Sequence, residues 1–230
     1  MAVTGLLLPK KHKEMKMETV YKIVDAQNPD AVCIQQAAKL IQKGETVAFP
    51  TETVYGLGAN ALDAQACEKI FAAKGRPGDN PLIVHVTGIE QAKKIAHVDE
   101  LAVALMQAFW PGPLSLVLPK KECVPMAVTA HLNTVAIRCP NHAVALALIR
   151  ESGLPIAAPS ANLSGKPSPT WGSHVFADLR GKTAMILDAG PVEIGLESTV
   201  LLVKPGNCVL LRPGGIEKDQ LETICGPVFL

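Results

Sequence analysis

Hydrophobic positions in this chain follow two periods. Apolar residues recur every three to four positions in some stretches and run together in short blocks in others, which separates helices from buried strands. In NPDAVCIQQAAKLIQKG the residues Ile34, Ala37, Ala38 and Ile41 share one helical face. Asn28 is placed to cap that helix, Pro29 suits its first turn and Gly44 ends it. DAQACEKIFAAKG repeats the pattern through Cys67, Ile70, Phe71 and Lys74, with Asp63 as cap and Gly75 as stop. Further helical patterns cover 91–96, 99–109 and 141–153. The blocks TVAF, LIVHV, LSLVL and TVAIR read as strands, and the later part is strand-rich, with PIAAP, AMILD, TVLLV and CVLLR.

Helices and strands alternate over the first two-thirds of the chain, while strands joined by short loops dominate the end. That order predicts an α/β fold: a twisted mixed (parallel and antiparallel) sheet with packed helices, in a single domain. Residues 1–18 read as a flexible basic tail and 19–230 as the domain. The stretch PSANLSGKPSPTWGS, 159–173, is a long helix-poor loop of the kind that usually carries function.

Composition narrows the partners. The 230 residues are 48% hydrophobic, enough for a sizeable core. A net charge of +1 supplies no global field toward nucleic acid or an anionic membrane, so any basic site must be local. The six cysteines form no C-x-x-C pair and no zinc-type cluster, and are expected to be reduced thiols. The apolar run near the N-terminus is too short for a signal peptide and its charges follow it. No membrane partner and a cytoplasmic location are therefore expected.

Two motif matches fail on context. GLGANA, 56–61, has the glycine spacing of a dinucleotide loop without the strand-to-helix setting or the acidic residue that follows. GKPS, 165–168, has a proline where a phosphate loop needs an amide donor. What remains is a set of polar segments at element ends: KGRPGDNPLIVH, NTVAIR, PSANLSGKPS, EST and LRPGG. Lys74, Arg76, Arg138 and Arg212 with Asn80 offer the point charges and bidentate forks that a phosphate-bearing polyanion requires. His85, alone in an apolar strand, reads first as a hydrogen-bonded core residue. No Ser-His-acid or Cys-His arrangement stands out, which fits a reaction without a strong general base.

Taken together, PTETVYGLG, KGRPGDNPLIVH, WPGPLSLVL, TVAIRCP, PSANLSGKPSPT, GLESTV and LLRPGGI resemble, in order, the YrdC-like family of threonylcarbamoyl-adenylate synthases. The resemblance spans about 31–216. It implies a YrdC-like fold and a nucleotidyltransferase, that is, a transferase of tRNA processing. ATP, L-threonine and bicarbonate would enter, and L-threonylcarbamoyl-AMP and pyrophosphate would leave. A carbamate formed from threonine is already an anionic nucleophile for the α-phosphorus, so positioning and charge neutralisation outweigh proton abstraction. Magnesium (Mg2+) is expected with the ATP.

Carried over by position, Thr53, His85, Arg138, Ala158 and Ser198 look like the threonine subsite. Arg76, Asn80, Thr134, Ser160, Asn162, Ser168 and Arg212 look like the ATP subsite. Lys74 and Arg76 are the expected catalytic cations, and Thr51 falls near the same pocket. Implied partners are the tRNA-modification proteins that use the product. Longer relatives continue through a linker into a C-terminal domain, whereas this chain stops at GPVFL. That extra domain is expected to be absent, in either a short form or a fragment of a longer protein. Two alternatives stand beside this reading: a paralogous carbamoyl-adenylate enzyme of the same fold, and an RNA-binding module. Weak RNA binding fits a local cationic concavity, but two Trp, two Tyr and no stacking motif give it little support.

Overall fold

A computed structural model describes residues 18–204 and 206–230. The basic tail expected over 1–18 lies outside the described residues save for Glu18. In chain order the first half comprises β1 (Val20–Ile23), α1 (Ala31–Gln42), β2 (Val47–Phe49), β3 (Gly56–Asn60), α2 (Ala64–Lys74), β4 (Ile83–His85), α3 (Ile89–Ile95), α4 (Glu100–Phe109) and β5 (Leu114–Pro119). The second comprises α5 (Met126–Thr129), β6 (Thr134–Arg138), α6 (Ala143–Ser152), β7 (Ile156–Ala157), α7 (Gly172–Leu179), β8 (Met185–Asp188), β9 (Thr199–Lys204), β10 (Asn207–Arg212), α8 (Lys218–Cys225) and β11 (Val228–Phe229).

Helix α1 buries the expected face of Ile34, Ala37, Ala38 and Ile41. Its cap, however, is Asp30, whose carboxylate accepts from the Cys33 amide at 2.8 Å. Asn28 lies two residues outside, and its own amide donates to Asp25. Pro29 therefore precedes the cap instead of opening the helix, and the carboxylate nearest the free amides takes the capping role. Asp63 caps α2 as expected, through Gln65 and Ala66, and Gly75 closes it at φ 62°. In α6 the cap is His142, one residue beyond Asn141, with Nδ1 accepting from Val144.

The strands form one mixed sheet in the order β1-β8-β2-β3-β7-β4-β6-β5-β9-β10-β11. Strands β1/β8, β2/β8, β4/β6, β5/β9 and β10/β11 pair in parallel, and the other neighbours are antiparallel. Successive strand residues point to opposite faces. Val47 and Phe49 accordingly join the core under α1 and α6, while Ala48 joins the larger core that holds α2, α4 and α7.

GLGAN, to which the sequence pattern assigns no element, is β3, a buried strand between β2 and β7. Glycines disguise it, because they carry little strand propensity. Gly58 is required by contact: a Cβ there would lie 2.6 Å from both Phe49 and Ile156 side-chain atoms. Strand β1 and helices α5, α7 and α8 also lie outside the sequence pattern. Helix α7 begins at Gly172 without a side-chain cap, and α8 has one buried residue, Leu221.

Candidate active site

The parallel pairing of β4 with β6 sets His85 directly beside Arg138, at the carboxyl ends of both strands. Parallel strands present their ligand-binding loops at that end. The start of β3, the loop entering β9 and the end of β10 converge on the same place, around a cavity of about 590 Å³. Thr53, His85, Arg138, Ala158 and Ser198 line it, as do Arg76, Asn80, Thr134, Ser160 and Arg212. All of the threonine set and five of the seven residues of the ATP set thus share one chamber; Asn162 and Ser168 do not line it.

At one end lies Arg138, buried with 4% exposure. Its Nε donates to the Gly112 carbonyl at 3.3 Å and its Nη1 to Thr53 Oγ1 at 2.9 Å. Nη2 stands 2.5 Å from Glu52 Oε2, an ion contact without the alignment of a hydrogen bond. His85 is buried against it. Loss of solvent first, and the Arg138 charge second, push the imidazole pKa down to about 3. The ring is therefore neutral near pH 7 and a poor base. Its Nδ1 has no hydrogen-bond partner among the described residues.

The hydroxyls of Thr51 and Thr53 can be assigned by counting protons. Thr51 Oγ1 donates its single hydrogen to the Val54 carbonyl at 2.7 Å. The 2.9 Å contact between the two hydroxyls must then be donated by Thr53. Thr53 also accepts from Arg138. It presents only a remaining lone pair to a ligand.

The other end is cationic. Arg212 forms an ion pair with Glu197 and donates to the Ser198 carbonyl through Nε at 3.1 Å and Nη2 at 2.9 Å. Nη2 also reaches Ser198 Oγ at 3.1 Å, and that hydroxyl meets Ser115 Oγ at 2.8 Å. Ser198 so ties Arg212 to β5. Glu197 Oε1 accepts from Ser168 at 3.0 Å. Arg76 lines the cavity and reaches the Asn80 carbonyl at 3.4 Å.

Three of the named residues stand behind the wall. Lys74 is buried and ties the 160–162 loop to α2, donating to the carbonyls of Ser160 and Asn162, the latter at 2.7 Å, and to Asn162 Oδ1 at 3.3 Å. Burial first, then the Arg76 charge, lower its pKa to about 8, and Glu197 and Asp178 act in the other direction. Asn162 turns its amide to the carbonyls of Leu163 and Lys166. Ser168 is held by Glu197. Lys74 stands in the last turn of α2, where its charge suits the helix end, but it is buried and not on a solvated face.

Sequence reasoning passed over Glu52, Ser115 and Glu197. Glu52 and Glu197 stood inside quoted motifs, next to Thr53 and Ser198. No local signal marks either carboxylate: Glu52 is buried, whereas Glu197 is partly exposed beside the exposed Leu196.

The mixed sheet and a largely apolar cavity carrying several cations and hydroxyls define an α/β protein built to hold a ligand with anionic groups. The chain belongs to the Sua5/YciO/YrdC family, whose model, described as "Telomere recombination", matches residues 39–214. It is 60% identical over 199 residues to the threonylcarbamoyl-AMP synthase of Bacillus subtilis, covering 86% of this chain and 58% of that protein. It is 36% identical over 194 residues to a putative threonylcarbamoyl-AMP synthase of Mycobacterium tuberculosis, covering 84% of this chain and 89% of that one. The solved structure of Pyrococcus abyssi Sua5 complexed with L-threonine superposes with a TM-score of 0.89 at 51% identity, over 92% of this chain and 62% of that chain. Escherichia coli YciO shares the fold, with a TM-score of 0.81 at 22% identity. The chain spans about 58% of the length of the B. subtilis relative and 62% of the P. abyssi chain.

Proposed function

We propose that this chain carries the synthase chemistry of its relatives: L-threonine, bicarbonate and ATP are joined into L-threonylcarbamoyl-AMP with release of pyrophosphate. The observation that carries the reading is that one cavity is lined both by the buried Arg138–His85 pair and by further cations with hydroxyls. A buried, oriented guanidinium with a neutral imidazole beside it suits an α-amino acid, whose carboxylate binds the Arg138 fork. Arg76, Ser160 and Arg212 at the other end suit a triphosphate. The shared names of the relatives and the threonine complex of the P. abyssi protein support the same assignment.

In this reading the carbamate of threonine attacks the α-phosphorus in line, and pyrophosphate departs toward the cationic end. The nucleophile is already an anion, so a poor base such as His85 is no obstacle. Arg76 and Arg212 would offset the charge that develops on the phosphoryl oxygens. Lys74 acts one step back, by holding the Ser160–Asn162 loop, and its role in catalysis is one of placement.

Magnesium would come with the nucleotide. No cluster of three or more acidic, His or Cys side chains suited to a metal occurs among the described residues. Glu197 is the one carboxylate among the lining residues, already engaged by Arg212 and Ser168. That fits an ion held chiefly by phosphate oxygens and water, with Glu197 nearest at hand, where it would neutralise charge on the phosphates. The product would pass to tRNA-modification proteins in the cytoplasm. Among the described residues no helix is long and apolar enough to cross a membrane.

Pyrophosphate release from ATP by the purified chain tests the assignment, with threonine or bicarbonate omitted in turn. Release that needs both substrates is expected. Release that continues unchanged without threonine would overturn the reading.

A further inference from the structure

Beneath the amino-acid end lies a charge that the reaction itself does not use. Glu52 is 2% exposed, sits behind the cavity wall and makes its ion contact with Arg138 Nη2 at 2.5 Å. Neither of its oxygens has an aligned hydrogen bond among the described residues. A carboxylate buried so deeply is costly, and apolar residues of similar size often serve stability as well as a buried ion pair. Stability alone therefore gives no reason for it.

The geometry of Arg138 gives one. A guanidinium has five N–H groups in one plane. Gly112 takes the Nε–H and Thr53 one N–H of Nη1, while Glu52 faces Nη2. Two aligned bonds, with the Glu52 charge drawn up to the third nitrogen, hold the guanidinium plane. One N–H of Nη1 and the pair on Nη2 are left without an aligned hydrogen bond, and with Glu52 drawn up to Nη2 one N–H on each terminal nitrogen can serve a bidentate carboxylate.

Glu52 also sets the charge. With Arg138 alone, this end would carry an uncompensated buried cation beside a neutral histidine. With Glu52, the fixed charge sums to zero, so a zwitterionic amino acid enters without leaving net charge in the interior.

We propose that Glu52 is a positioning residue of the amino-acid subsite, fixing the plane and balancing the charge of Arg138 so that the site accepts an α-amino acid in zwitterionic form. This rests on the threonine-dependent reading given above. Thr51 assists by spending the Thr53 proton, so that Thr53 can only accept from Arg138 and from the ligand.

The test is calorimetric titration of the purified chain with L-threonine and, separately, with ATP, for the wild type, Glu52→Gln and Glu52→Asp. Glu52→Gln keeps the shape and removes the charge. Threonine affinity should fall on the order of tenfold or more while ATP affinity stays within about twofold. Glu52→Asp keeps the charge on a shorter arm and should bind threonine better than Glu52→Gln but worse than the wild type. A packing role predicts the opposite order, because Gln is the closer isostere. Wild-type threonine affinity in Glu52→Gln, a Gln variant better than the Asp variant, or equal loss of both ligands would overturn the proposal. Should Glu52→Gln not fold, a folded Glu52→Asp with unchanged threonine affinity overturns it equally. A wild-type chain that takes up no threonine overturns the parent reading as well, whereas an insensitive Glu52 series in a threonine-binding chain overturns this inference alone.

Discussion

Arg138 and His85 illustrate how burial turns ordinary side chains into specific ones. With its imidazole held near a pKa of about 3 against an ordinary 6.5, His85 stays neutral in the folded chain while the unfolded chain takes up a proton below about 6.5. The unfolded state then binds more protons, so stability should fall as pH drops from about 6.5 toward 3, by up to a few kcal/mol from this group. Chemical denaturation at stepped pH, compared with His85→Asn, checks this: the variant should lose the part of the slope that His85 supplies. Arg138→Ala should weaken threonine binding far more than ATP binding, and equal losses would contradict the two-ended division. Arg76→Ala should remove turnover and leave the melting temperature nearly unchanged. Lys74→Met should lower both, because its ammonium holds three acceptors in the 160–162 loop. Most of the polar cavity-lining residues were legible because their hydroxyls and cations stand in the motifs that carry the family resemblance. Glu52 was not, since nothing in FPTETVYGLG says which of its polar groups turns inward to meet a cation more than eighty residues away in the chain.

Elements were legible where one periodic signal governed and obscure where packing did. Helices α1 and α2 show their buried faces in sequence, and the difference at the start of α1 is one of which oxygen reaches the first free amide. Asp30→Ala should cost about 1 kcal/mol of stability, as loss of a cap does. Asn28→Ala should stay within about 0.5 kcal/mol, as expected away from such features. Denaturant midpoints of the two variants separate these outcomes. Strand β3 is the instructive opposite. Its glycines look like turn residues, yet Gly58 is set by the approach of Phe49 and Ile156 from the neighbouring strands. Gly58→Val should therefore destabilise by about 1–3 kcal/mol, despite valine's preference for strands, because overpacking outweighs propensity here. A Gly58→Val chain of unchanged stability would show that the sheet gives way.

At the scale of the whole molecule, the sheet order does what no local pattern announces. It sets β4 beside β6 in parallel and β5 beside β9, which brings residues from the middle and the end of the chain around one chamber. Alternation early in the chain, with a strand-rich end joined by short loops, was enough to forecast a mixed sheet, but not which strands become neighbours. Ser198 ties Arg212 on β10 to Ser115 on β5, across the β9 strand between them. The central claim is that both ends act in one reaction. Labelled bicarbonate supplied with threonine and ATP tests it most directly, with the adenylate product and pyrophosphate measured together. Label should appear in a threonine-containing AMP conjugate in equal amount to the pyrophosphate released, and only when all three substrates are present. Pyrophosphate without labelled conjugate, or labelled conjugate formed without threonine, would contradict it.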